Sequence, residues 1–157
     1  MRWGIAGIAG LMLAGCDAAG DAEPAPEAVH SVDPATGELH MVIPHEDGPA
    51  TLRSGPTLPV RLPDGLTLPE GATVTANSRF EQAGGSGALV TFETLAPAAA
   101  VITHFRDQAE AAGFAITLDR ALATSHLLLG ERARDGAKLS VTATSGPPTS
   151  GQILVSG

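Results

Sequence analysis

The chain reads as an α+β protein: a two-layer sandwich with one helix packed on an antiparallel sheet in the order β-β-α-β-β-β-β, after a signal peptide and an acidic tether. Three observations predict this. Runs of alternating apolar and polar residues recur from Thr73 onward, the period of strands with one buried face. A single longer stretch, Pro97 to Ala112, spaces Val101, Phe105, Ala109 and Ala112 by 4, 4 and 3, the period of a helix lying on a surface. Charge, finally, divides the chain: residues 17–52 hold eight acids and no Lys or Arg, whereas nine acids and eight bases follow from Arg53.

The first element is an uncharged run from Trp3 to Gly15 in which Gly4, Ala6, Gly7, Ala9 and Gly10 are small. It is shorter than the roughly 20 apolar residues that a membrane-spanning helix needs. With Arg2 before it and Ala14-Gly15 at its end, residues 1–15 read as a signal peptide that is absent from the mature protein. Leu13-Ala14-Gly15-Cys16, which contains the only cysteine, resembles the lipobox of bacterial lipoproteins. The resemblance implies a diacylglycerol on the Cys16 sulfur, a further acyl chain on its amine, and a membrane anchor in the cell envelope. Each buried CH₂ contributes about 0.8 kcal/mol, so two or more chains hold a protein stably at the surface. The same modification would consume the sole thiol, which excludes disulfides, cysteine catalysis and thiolate metal sites in the mature chain. Asp17, next in sequence, resembles the signal that retains enterobacterial lipoproteins in the inner membrane; it implies that position, with the domain facing the periplasm.

Residues 16–60 read as the tether. Asp17, Asp21, Glu23, Glu27, Asp33, Glu38, Glu46 and Asp47 are its acids, and Pro24 and Pro26 stiffen its start. A segment so poor in bulky apolar residues buries too little surface to offset ordering entropy. Toward its end Val29–Val32 and Leu39–Ile43 flank Asp33-Pro34-Ala35-Thr36-Gly37, a turn-favouring sequence that predicts a short hairpin, and Ala50 to Arg53 could add a third strand.

Residues 61–157 read as the folded domain. Thr73 to Phe80 alternates, with Val74, Ala76 and Phe80 predicted on the buried side, and Ala88, Val90 and Phe92 continue the pattern in a second strand. Between them Gly84-Gly85-Ser86-Gly87 is a hairpin turn and not a phosphate loop, since a strand follows it and no Lys is near. The helix opens at Pro97, places Gly113 at a left-handed C-terminal cap, and sets Thr103/Asp107 and Arg106/Glu110 four apart on its polar side. Four strands follow, starting at Phe114, His126, Lys138 and Gln152, with Asp135-Gly136 turning the middle pair. The second face of the sheet, bearing Thr91, Thr117, Ser140, Thr142 and Thr144, is expected to be polar and solvated.

Pro69-Glu70-Gly71-Ala72 and the helix-ending Gly113-Phe114 also resemble features of a small α+β domain of unknown function in bacterial envelope lipoproteins. That resemblance covers about residues 62–157 and implies a fold and a compartment, with no activity attached.

Composition narrows the function. Loss of Arg2 with the signal peptide takes the formal charge from −8 to −9, against the basic stripes of nucleic-acid binders. Trp3 leaves as well, and with no Tyr in the chain an aromatic stacking platform is disfavoured. His40, His45, Glu46 and Asp47 are near in sequence but lack the spacing of known zinc motifs. His104 reads as a partly buried structural imidazole. Ser125 and His126 are adjacent on a strand and so face opposite ways. No nucleophile elbow or Ser-x-x-Lys is present, and no cofactor motif is found. The expectation is a lipid-anchored, non-enzymatic binding or assembly module with an envelope protein as partner; the second class is a small-ligand or metal-handling lipoprotein, and an enzyme ranks third.

Overall fold

The computed structural model describes residues 28–157. Among the described residues, regular structure starts within the acidic segment. Asp33 Oδ1 accepts the Ala35 N–H at 2.8 Å and Gly37 adopts φ 69°, turning the chain from β1 (Val29–Val32) into β2 (Leu39–Ile43). There follow β3 (Ala50–Ser54), β4 (Thr73–Gln82), β5 (Gly85–Thr94), α1 (Ala98–Ala111), β6 (Ala115–Ala121), β7 (Ser125–Arg132), β8 (Ala137–Thr144) and β9 (Thr149–Ser156). The nine strands among the described residues form one antiparallel sheet in the order β1-β2-β3-β4-β5-β9-β8-β7-β6. From β5, α1 carries the chain across the sheet to the far edge, and the meander β6 to β9 returns until β9 pairs with β5.

The protein is therefore mostly β, with 50% of the described residues in strands and 11% in the helix. This corrects the expected α+β two-layer sandwich. The elements from Thr73 onward come in the expected order, but the one helix is too short to form a layer of its own. Fourteen helical residues reach about 21 Å at 1.5 Å per residue, while nine strands at ~4.8 Å spacing make a sheet about 38 Å wide. Accordingly the backbone of α1 lies over β6 to β9 and reaches β5 through side chains such as Phe105, a partial cover and not a second layer.

The core lies between that cover and the inner face of the sheet. Val101, Ile102, Phe105 and Ala109 of α1 pack on Val90, Phe92, Leu128, Val141 and Ile153, all fully buried. The Phe92 and Phe105 rings meet at 6.0 Å, tilted by 50°. Phe92 also covers Gly151, its cross-strand partner, where any β-carbon would run into the ring. Pro97 takes the N-cap position of α1. At the other end Gly113 adopts φ 86°, its N–H donating to Glu110 O at 3.0 Å, and the Phe114 N–H donates to Ala109 O at 2.9 Å. These two bonds make a Schellman cap that turns Phe114 back into the core.

The 55–72 segment completes the cover. Leu58 and Leu66 are buried, and Thr67 is held to the helix on both sides: its N–H donates to Gln108 Oε1 at 2.8 Å, Gln108 Nε2 donates to Thr67 Oγ1 at 2.9 Å, and His104 Nε2 lies 2.8 Å from Thr67 O. His104 also stands edge-on to Phe105, 5.2 Å between centroids.

Two bulges change which side chains face the core. In β4 the register shifts between Val74 and Ala76. Asn77 becomes the buried residue, 2% exposed, with Nδ2 donating to Leu58 O at 2.8 Å, while Ala76 and Phe80 turn to the outer face; the predicted grouping of Val74, Ala76 and Phe80 is corrected. A second shift, between Ile116 and Leu118, brings Leu118 out to 36% exposure.

Candidate functional site

Neither α1 nor the 55–72 segment lies on the outer face of the sheet, and its cross-strand register defines what that face presents. Ser78, Leu89, Leu154, Ser140, Leu129 and Leu118 are successive partners across β4, β5, β9, β8, β7 and β6. Residues directly opposite one another share a face, so four leucines form a strip interrupted by Ser140. Leu154 is 37% exposed and Leu118 36%, with Leu89 and Leu129 half-buried by their neighbours. From Leu89 to Leu118 the strip crosses five strands, about 20 Å at ~4.8 Å spacing. A neighbouring row runs from Met41 through Leu52 to Phe80, whose ring lies over Gly87. A shallow groove of about 350 Å³ opens beside the strip, lined by Leu129, Leu154, Ser140, Thr117, Glu131 and Lys138 among others. The threonines and serines expected on this face are present, but the expectation of a polar, solvated surface is corrected by the leucines between them.

Ionic clusters occupy the inner face and its margins. Asp119, turned inward by the β6 bulge, accepts from Arg106 of α1 and lies 2.6 Å from His126 Nε2 through Oδ1. The His126 hydrogen bond, with Arg106 beside it, holds the Asp119 carboxyl below its ordinary range. Arg106 is thus engaged by Asp119, and not by Glu110 as its helical spacing predicts. Arg132, with a side chain only 9% exposed, grips Asp135 with two nitrogens at 3.0 and 2.9 Å, reaches Ala112 O at 3.4 Å, and lies 4.6 Å over the Phe114 ring. These contacts fasten the β7–β8 turn to the end of the helix. The Arg132 hydrogen bond lowers the Asp135 pKa.

Compared with protein-family models, curated proteins and solved structures, the chain matches none. Its own residues carry the reading.

Cys16 and Asp17, the predicted lipidation and sorting residues, lie outside the described residues, as does the 1–15 signal peptide. His40 sits exposed on β2 opposite Ser31 and Arg53, and His45 Nδ1 lies 3.8 Å from Asp47 Oδ2 in the following turn. Among the described residues no three of His, Cys, Asp and Glu gather in a metal-binding arrangement. Ser125, paired with Thr144, is on the face opposite His126. Gly84 to Gly87 joins β4 to β5 as a hairpin. No helix among the described residues is long and apolar enough to cross a membrane. Asp119 and Leu118 escaped the sequence reading because both depend on the β6 bulge, which no residue type marks, whereas Leu89, Leu129 and Leu154 face outward by the plain alternation of β5, β7 and β9.

Proposed function

We propose that this protein is a lipid-anchored component of a bacterial cell envelope, held through Cys16 with its sheet facing the periplasm, and that it acts as a non-enzymatic binding or assembly module. The observation that carries the reading is the Leu89–Leu154–Leu129–Leu118 strip on the sheet face that neither α1 nor the 55–72 segment covers. Contiguous exposed apolar surface rimmed by polar residues marks interaction sites in soluble domains, and here Glu131, Lys138 and Thr142 supply the rim. The occupant is another envelope protein that presents an apolar face of matching width. The Leu13-Ala14-Gly15-Cys16 sequence supports the anchor and Asp17 supports retention in the inner membrane; a tether of this charge holds the domain clear of an anionic lipid surface.

A photo-crosslinking residue placed at Leu154, with one at Thr103 on the exposed side of α1 as control, tests this in intact cells. A discrete heavier adduct from position 154 and none from position 103 is the expected result. Equal labelling from both positions, or an adduct of twice the chain's own mass, would overturn the proposed partner.

A further inference from the structure

The helix-side face holds a second groove, of about 410 Å³, at the end of the sheet where the β4–β5 hairpin meets Arg61 and Pro63. Its floor is made of small apolar residues, Ala88, Ala137 and Val155, 8%, 4% and 4% exposed. Around this floor stand Arg61, Arg79 and Arg132. In a chain of net charge −8 with nine Lys and Arg in all, three guanidiniums line this one groove against two carboxylates, Glu81 and Asp135, a local excess of positive charge.

The three differ in how they are spent. Arg132 is fixed by Asp135. On the row that contains Arg79, Arg53 is consumed by Glu38, with Nε 2.7 Å from Oε1. Arg61 and Arg79 have no ion pair or side-chain hydrogen bond among the described residues, and Glu81, which also lines the groove, is not within ion-pair distance of either. A guanidinium offers a planar fork of donors matched to carboxylate and phosphate oxygens. Two such forks above an apolar floor suit an anionic head attached to an apolar body. Glu81 opposes any large negative charge, so a monoanion fits this lining better than a polyanion.

We infer that the groove between Arg61, Arg79 and the Ala88–Val155 floor is a binding site for a small amphiphilic monoanion, a carboxylate on a short hydrocarbon. It lies on the opposite face from the leucine strip and stands whether or not that strip binds a protein.

The test uses the full chain in uncharged maltoside micelles, titrated with hexanoate while the arginine Nε–Hε resonances are followed; hexanol and inorganic phosphate serve as comparison probes. Saturable shifts confined to Arg61, Arg79 and Arg132 with hexanoate are expected, with weaker binding of phosphate and no arginine shifts with hexanol. Arg61→Gln, on an exposed side chain, should weaken hexanoate at least about tenfold, the effect of losing one charge-assisted hydrogen bond, and Arg61→Gln/Arg79→Gln should abolish it. Arg120→Gln, outside the groove, should leave it unchanged. Unsaturable shifts, shifts of equal size at Arg120, or an Arg61→Gln affinity equal to wild type would overturn the site.

Discussion

At the scale of single residues, two kinds of position carry the structure, glycines under aromatic rings and carboxylates between cations. Gly151 accepts the Phe92 ring where a side chain would sit, so Gly151→Val forces a core phenylalanine out of place. Overpacking of this kind costs about 1–3 kcal/mol, and Phe105→Ala, which empties the other half of the ring pair, about 3–5 kcal/mol. Chemical denaturation should show both as lowered midpoints; a midpoint insensitive to Phe105→Ala would contradict the packing described. Asp119 carries a pH signature. Its folded pKa is depressed by His126 and then Arg106, so its contribution is present above the unfolded carboxylate value, near 3.9, and is lost as pH falls through the lower folded value. Asp119→Asn should therefore melt below wild type at pH 7 and approach it in acid. A gap in melting temperature that stays constant with pH would place the effect elsewhere.

At the scale of elements, the helix was legible and the sheet only in part. The 4-4-3 spacing of Val101, Phe105, Ala109 and Ala112, closed by Gly113, marks α1 because its period is long enough to average over single exceptions. Strands give less warning. An extra residue at a bulge reverses every later side chain, which is why Phe80, expected inside, lies outside, why Leu118 turns outward, and how Asn77 came to be buried. The acidic segment hid its strands for another reason: composition argues against burial, and β1 is exposed at all four positions, so these strands are held by backbone pairing in series, β1 to β2, β2 to β3 and β3 to β4, and not by a core. The register contains four pairs between β3 and β4 against nine between β4 and β5. Amide exchange should accordingly be fastest in β1 and β2 and slowest in β5, β8 and β9, whose inner residues are buried. Uniform protection from β1 to β9 would show that the edge strands share the stability of the core.

At the scale of the whole molecule, a sheet with two unlike faces follows an acidic segment and the lipobox-like Leu13-Ala14-Gly15-Cys16 sequence. Metabolic labelling with a fatty-acid analogue should tag the wild-type chain and not Cys16→Ser; label retained on the variant would remove the lipobox reading. Asp17→Ser should shift the protein toward outer-membrane fractions on a density gradient, and wild-type protein already found there would end the retention argument without touching the anchor. What the compartment cannot decide is whether the outer face is used. Leu129→Glu/Leu154→Glu addresses that most directly, because both side chains are partly exposed and their replacement leaves the inner core intact. In intact cells, formaldehyde crosslinking should give a heavier adduct with the wild-type chain and lose it with this double variant, while circular dichroism of the purified variant stays that of the folded sheet. An adduct that survives both charges on a folded protein would contradict the claim that this face binds a partner.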